Sequence, residues 1–106
     1  MAHIAPQALG EQAWKRPRWG SCQVCGKKGW LVRHHVVYRQ VVEREGGDPW
    51  DLDNSMFLGR DCRCHGRQHS KHTRLPLEAV PPDAVQFARE LLGDDRAREY
   101  LARQYA

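Results

Sequence analysis

An α+β fold is predicted for this chain: strand, loop, strand and helix around a zinc knuckle, with two additional helices at the C-terminal end. Three observations predict it. β-Branched and aromatic residues crowd into residues 30–38, ahead of a second candidate strand over 55–59; the four cysteines form two close pairs; and residues 82–101 carry apolar side chains at helical spacing. A chain of 106 residues is one domain by size. It divides into an N-terminal arm (1–20), a core (21–74) and a helical extension of the same domain (75–106).

The arm mixes Pro6, Pro17 and two glycines with Trp14 and Trp19 and shows no clean period, so it reads as an irregular lead-in whose tryptophans pack on the core or which touches DNA. Residues 21–29 hold Cys22-Gln-Val-Cys25-Gly-Lys27-Lys28-Gly29, the close cysteines and turn-forming glycines of a zinc knuckle, with both lysines at its tip. Residues 30–38, Trp-Leu-Val-Arg-His-His-Val-Val-Tyr, read as a strand. Gly46-Gly47, Pro49 and several acids make residues 39–54 a long loop, with a short helical turn over 39–44. Ser55-Met-Phe-Leu-Gly59 is the second strand. Residues 61–72 lack proline and hold one glycine, so a helix is expected with Asp61 as its N-cap. In the tail, Val85, Ala88 and Leu92 mark one helix ended by Gly93, and Ala97, Tyr100 and Leu101 mark another. These are packing faces, and no chemistry is assigned to them.

Composition narrows the function classes. No run approaches the roughly eighteen apolar residues of a membrane span, and the start Met-Ala-His-Ile-Ala-Pro has no cationic region leading into an apolar stretch. A reducing, intracellular setting is therefore expected, in which close cysteine pairs bind metal more often than each other. Charge is uneven: residues 1–74 hold 13 Lys and Arg against 7 Asp and Glu, and residues 75–106 hold 4 against 6. The positive surplus accompanies the histidines, which suits a polyanionic partner.

Cys22-x-x-Cys25 and Cys62-x-Cys64 can bring four thiolates to one tetrahedral ion, a closed structural Zn²⁺ site that staples a small core. The histidines form a second system: five of the six fall at 34–35 and 65–72. On a helix His65 and His69 face the same way and can reach one ion, with His72 near that face. Neighbours on a strand point to opposite sides, so His34 and His35 divide their labour, one on a metal and the other able to take a proton. Arg63, Arg67, Lys71 and Arg74 recur at spacings of four and three along the same stretch and align as a phosphate track or as a solvated face.

The order Cys-x-x-Cys, His34-His35-Val-Val, Asp53-Asn54 and Cys64-His65-x-x-x-His69 resembles the HNH endonuclease family over residues 21–72. That resemblance implies a ββα-metal fold, two antiparallel strands, a loop and a helix around one divalent cation. It makes His34, His65 and His69 ligands of the catalytic ion and His35 the general base. Asn54 matches the asparagine that positions the loop and the base or, in some members, binds the metal. His69 and His72 remain alternative helix ligands. The resemblance also implies a structural zinc at the four cysteines, a Mn²⁺, Mg²⁺, Ni²⁺ or Zn²⁺ ion at the histidines, and DNA hydrolysis or nicking that leaves a 5′-phosphate and a 3′-hydroxyl.

One departure stands out. Zinc-bearing members usually carry Cys-x-x-Cys-His, whereas this chain has the shorter Cys62-Arg63-Cys64-His65, and Gly59 stands where the first of those cysteines often occurs. A distorted tetrahedral site is the expectation. Nothing in the chain resembles a base-reading module, so weak sequence preference is expected, with guidance by DNA shape or a partner. Free-standing proteins of this kind resemble those that bacteriophages encode near their DNA-packaging genes. Others serve in restriction, mobile introns or toxins, and the sequence does not choose among them; the packaging likeness implies a terminase partner, and a phage or bacterial role implies the cytoplasm of a bacterial host. Two other classes fit the same residues: a zinc-stapled nucleic-acid-binding module without catalysis, and a zinc adaptor for protein partners.

Overall fold

The computed structural model describes residues 6–62, 64 and 74–106. Arg63, His65, Arg67, His69, Lys71 and His72, and with them most of the helix expected over 61–72, lie outside the described residues. The described elements run α1 (Pro6–Lys15), β1 (Arg18–Ser21), β2 (Lys28–His35), α2 (Arg39–Arg44), β3 (Ser55–Gly59), a 3₁₀ turn (Leu77–Ala79), α3 (Pro82–Leu92) and α4 (Asp94–Gln104).

The three strands form one antiparallel sheet in the order β1-β2-β3, with Trp19 opposite Trp30 and His34 opposite Met56. Two strands were expected, and β1 is the addition. The lead-in is also not irregular. Pro6 occupies the first helical position, where its missing N–H costs nothing, and Pro17 follows the end of α1. Among the described side chains of α1, Trp14 is the buried one, packed against the His35 and Trp50 rings.

β2 leaves the sheet after His35, three residues before the strand predicted from its β-branched run. The buried Asn54 side chain takes over there: Oδ1 accepts from Val37 N–H at 2.8 Å and Nδ2 donates to the Val37 carbonyl at 2.9 Å. With its polar groups satisfied by a side chain, Val37 needs no neighbouring strand. α2 occupies the expected helical turn, and β3 covers the expected residues.

The tail folds as predicted. Ala84, Ala88 and Leu92 of α3 and Ala97, Tyr100 and Leu101 of α4 are buried, and Gly93 separates the helices at φ 86°. They share a core with Val36, Val37, Met56 and Leu58. Backbone hydrogen bonds from Ala106 to Leu75 and from Leu77 to Ala106, both 2.8 Å, tie the chain end to the segment before the 3₁₀ turn.

Candidate functional site

Four sulfur atoms converge at one end of the sheet. The Sγ atoms of Cys22, Cys25, Cys62 and Cys64 all lie within 4.8 Å of one another, close enough to share one ion. Two turns bring them there. After β1, Cys22 N–H donates to Lys27 O (3.0 Å) and Gly26 N–H to Cys22 O (2.9 Å), with Gly26 at φ 76°. This positive φ is one that glycine adopts without penalty, and it folds Cys25 back toward Cys22. After β3, Cys62 and Cys64 close the set.

The shortened Cys62-x-Cys64 spacing does not scatter the sulfurs. Space for it comes from Gly59, where an added Cβ would stand 2.5 Å from Cys62 Sγ and 3.5 Å from Cys22 Cβ. The position that lacks a cysteine in the resemblance is thus the position that must lack a side chain. The four thiols also differ in proton affinity. Burial works against the Cys22 thiolate, yet hydrogen bonds from the Cys25, Gly59 and Val24 backbones and the Cys62 thiol bring it down to about 6. Burial and the three neighbouring thiols push Cys64 up instead.

The two strand histidines point into different environments, as the strand geometry predicts. His34 is 2% exposed. Its Nε2 lies 3.3 Å from the Tyr105 hydroxyl, which also donates to Val36 O at 3.0 Å. A carbonyl only accepts, so the Tyr105 proton is directed to Val36 and the phenolic oxygen can accept from Nε2. His35 stacks on Trp14 at 4.0 Å and 24°. Its Nε2 donates to Pro49 O at 2.8 Å, which places the acceptor lone pair on Nδ1. Burial lowers the His35 pKa, assisted by Arg39 and opposed by Pro49 O and Glu43, so the ring is neutral at pH 7.

The remaining candidates fall in several places. Asn54 is the clamp on Val37 and touches neither histidine ring through its amide. Lys27 and Lys28 are exposed on the cysteine turn and at the start of β2. Arg74 donates to the Ala102 and Arg103 carbonyls (3.2 and 3.3 Å) at the end of α4, a helix-terminal contact that occupies its guanidinium. His65, His69, Arg63, Arg67 and Lys71 lie outside the described residues, and so does the question of whether His72 replaces His69.

Sequence reading set Trp14 on the core without pairing it to His35, and it missed two participants: the Pro49 carbonyl, which selects the His35 tautomer, and Tyr105, which reaches His34 from a tail given no chemistry. Trp14 sat in a segment without periodicity and Tyr105 at the end of an ordinary helix, so neither carried a local signal. Among the described residues no helix is long and apolar enough to cross a membrane. Compared with protein-family models, curated proteins and solved structures, the chain matches none.

Proposed function

We propose that this chain is a metal-dependent DNA endonuclease of the HNH type, stapled by a structural zinc ion at Cys22, Cys25, Cys62 and Cys64. The observation that carries the proposal is the 2.8 Å hydrogen bond from His35 Nε2 to Pro49 O, which reserves Nδ1 of a neutral imidazole for accepting a proton.

The zinc assignment rests on donor type and spacing. Tetrahedral coordination at a Zn–S distance of about 2.3 Å separates sulfurs by about 3.8 Å, within reach of the present cluster after small side-chain rotations. The staple links the turn after β1 to the chain after β3 and thereby fixes both flanks of β2, the strand that bears the histidines.

For the reaction, His35 Nδ1 takes a proton from water as the water oxygen attacks phosphorus; the P–O3′ bond breaks and the departing 3′-oxygen takes a proton from solvent, leaving a 5′-phosphate and a 3′-hydroxyl. His34, together with His65 and either His69 or His72, would hold the divalent cation. The chemistry a cation supplies in such a site is Lewis acidity toward a phosphate oxygen and the departing oxygen. Tyr105 orients the His34 ring, Trp14 orients the His35 ring, and Asn54 sets the backbone that follows them.

The test is nicking of supercoiled plasmid by the purified chain across Mg²⁺, Mn²⁺, Ni²⁺ and Zn²⁺. Cleavage with at least one ion that disappears in His35→Ala, at unchanged fold and DNA affinity, is the expected result. A chain that binds DNA but cleaves with none of the four ions is instead a zinc-stapled binding module. The buried, Tyr105-bonded environment of His34 is the observation that favours that second reading.

A further inference from the structure

A cavity of about 780 Å³ opens beside His35. β1 pairs with β2 only as far as Leu31, so the β2 edge from Val32 to His35 is left without a strand partner on that side, and the cavity follows it. Five cations line it, Lys15, Arg16, Arg33, Arg39 and Arg60, and no carboxylate among the described residues does. Lys15 and Arg39 have acid partners within their own helices, Glu11 and Glu43. Arg33 has only neutral acceptors, Trp14 O at 3.2 Å and Ser55 Oγ at 3.0 Å. Burial and then the nearby Arg18 charge lower its pKa. A like-charge cluster of this kind is relieved by a bound anion.

The walls are aromatic, which phosphate binding alone does not require. Trp30 lines the cavity and is 49% exposed; edge-on to it at 5.4 Å stands Trp19, 61% exposed. Two large indoles left in water on adjacent strands are costly unless something stacks on them. The distance from Trp30 to His35 along β2 is about 17 Å at strand rise, which spans several nucleotides of a strand, and the volume far exceeds that of one phosphate. A duplex presents phosphates but hides its base faces, whereas an unpaired strand presents both.

We propose that this edge binds unpaired DNA, bases against Trp30 and Trp19 and phosphates among Arg33, Arg39, Arg60 and Lys15, so that the strand leads to His35. The substrate class is therefore a flap, gap or bulge in preference to intact duplex. The inference deepens the endonuclease reading and rests on it for the role of His35, but its binding test does not.

The experiment uses the full zinc-loaded chain and measures fluorescence anisotropy of labelled oligothymidylate against a duplex of equal length, at several salt concentrations. Tighter binding of the single strand is expected. Trp30→Ala weakens the single-strand complex by about tenfold and the duplex complex by less than about twofold, and Trp30→Phe restores most of the loss because a stacking face remains. Arg60→Gln lowers the salt slope by about one. Equal wild-type affinity for the two forms, or equal loss of both in Trp30→Ala, overturns the proposal. Plasmid cleavage without a single-strand preference removes this inference alone, and a single-strand preference without cleavage by any ion removes the nuclease reading alone.

Discussion

The Tyr105 hydroxyl lies 3.3 Å from His34 Nε2, across 71 positions of chain, and donates to Val36 O two residues beyond that histidine. The last turn of the tail therefore supports the strand that carries both imidazoles. Removing the hydroxyl in Tyr105→Phe leaves Val36 O and the His34 ring without this partner at unchanged ring volume. Stability is expected to fall by about 1–2 kcal/mol, read from urea denaturation. If His34 ligates the cation, affinity for Mn²⁺ falls by about 10–100-fold in calorimetric titration, as for other groups that orient a ligand. Unchanged values in both measurements would show that the contact is incidental.

Zinc and folding should be inseparable. Elemental analysis should find one zinc per chain. Chelation, or Cys22→Ser, should abolish cooperative unfolding, because structural zinc sites contribute on the order of 10 kcal/mol. Gly59→Ala is a sharper probe, since the added Cβ would stand 2.5 Å from Cys62 Sγ and leave all four ligands chemically intact. Loss of zinc affinity in that variant is expected; a normal zinc content and Tm would contradict the packing argument.

Asn54→Ala removes both partners of the Val37 backbone in a fully buried position. The expected cost is about 2–5 kcal/mol, since an N–H and a C=O are left unpaired at once. Asn54→Asp keeps the acceptor for Val37 N–H but faces Val37 O with a second acceptor, so it should not rescue. Thermal unfolding of the two variants compares them directly.

The His35 tautomer is open to direct observation. In ¹⁵N-labelled protein the His35 ring should show a proton on Nε2 and a bare Nδ1 at neutral pH. The opposite assignment would remove the support for His35 as the base.

Alkaline pH should destabilise the fold through Tyr100. Burial pushes its phenol up to about 12, and its oxygen accepts from Tyr38 N–H at 2.9 Å. The folded value exceeds the unfolded value near 10, so the unfolded chain releases the proton first. This contribution is present below about pH 10 and is lost as pH rises toward 12, by about 1–3 kcal/mol in all. Stability measured over that interval should decline less steeply in Tyr100→Phe.

Much of the scaffold was readable from local pattern. Ser55–Gly59, the Arg39–Arg44 turn and the α3–Gly93–α4 hairpin of helices follow from side-chain type and spacing, signals that lie within a few neighbouring residues. The two cysteine pairs likewise announce a cluster able to hold an ion, because a tight turn and short spacing bring thiols together. α1 and β1 were not readable: among its described side chains α1 buries the Trp14 indole against residues distant in sequence, β1 depends on pairing with β2, and neither leaves a periodic trace.

The sequence by itself determined which groups are present and which chemistry they are capable of: four thiols for one ion, two adjacent imidazoles on a strand, and an asparagine before the next strand. Only the tertiary structure decided their states. Pro49 O selects the His35 tautomer, Tyr105 reaches His34, Asn54 ends β2, and Gly59 makes room for Cys62. The physical reason is that a side chain's intrinsic chemistry is local, whereas tautomer, desolvation and the space for a sulfur atom are set by residues that meet only when the chain has folded.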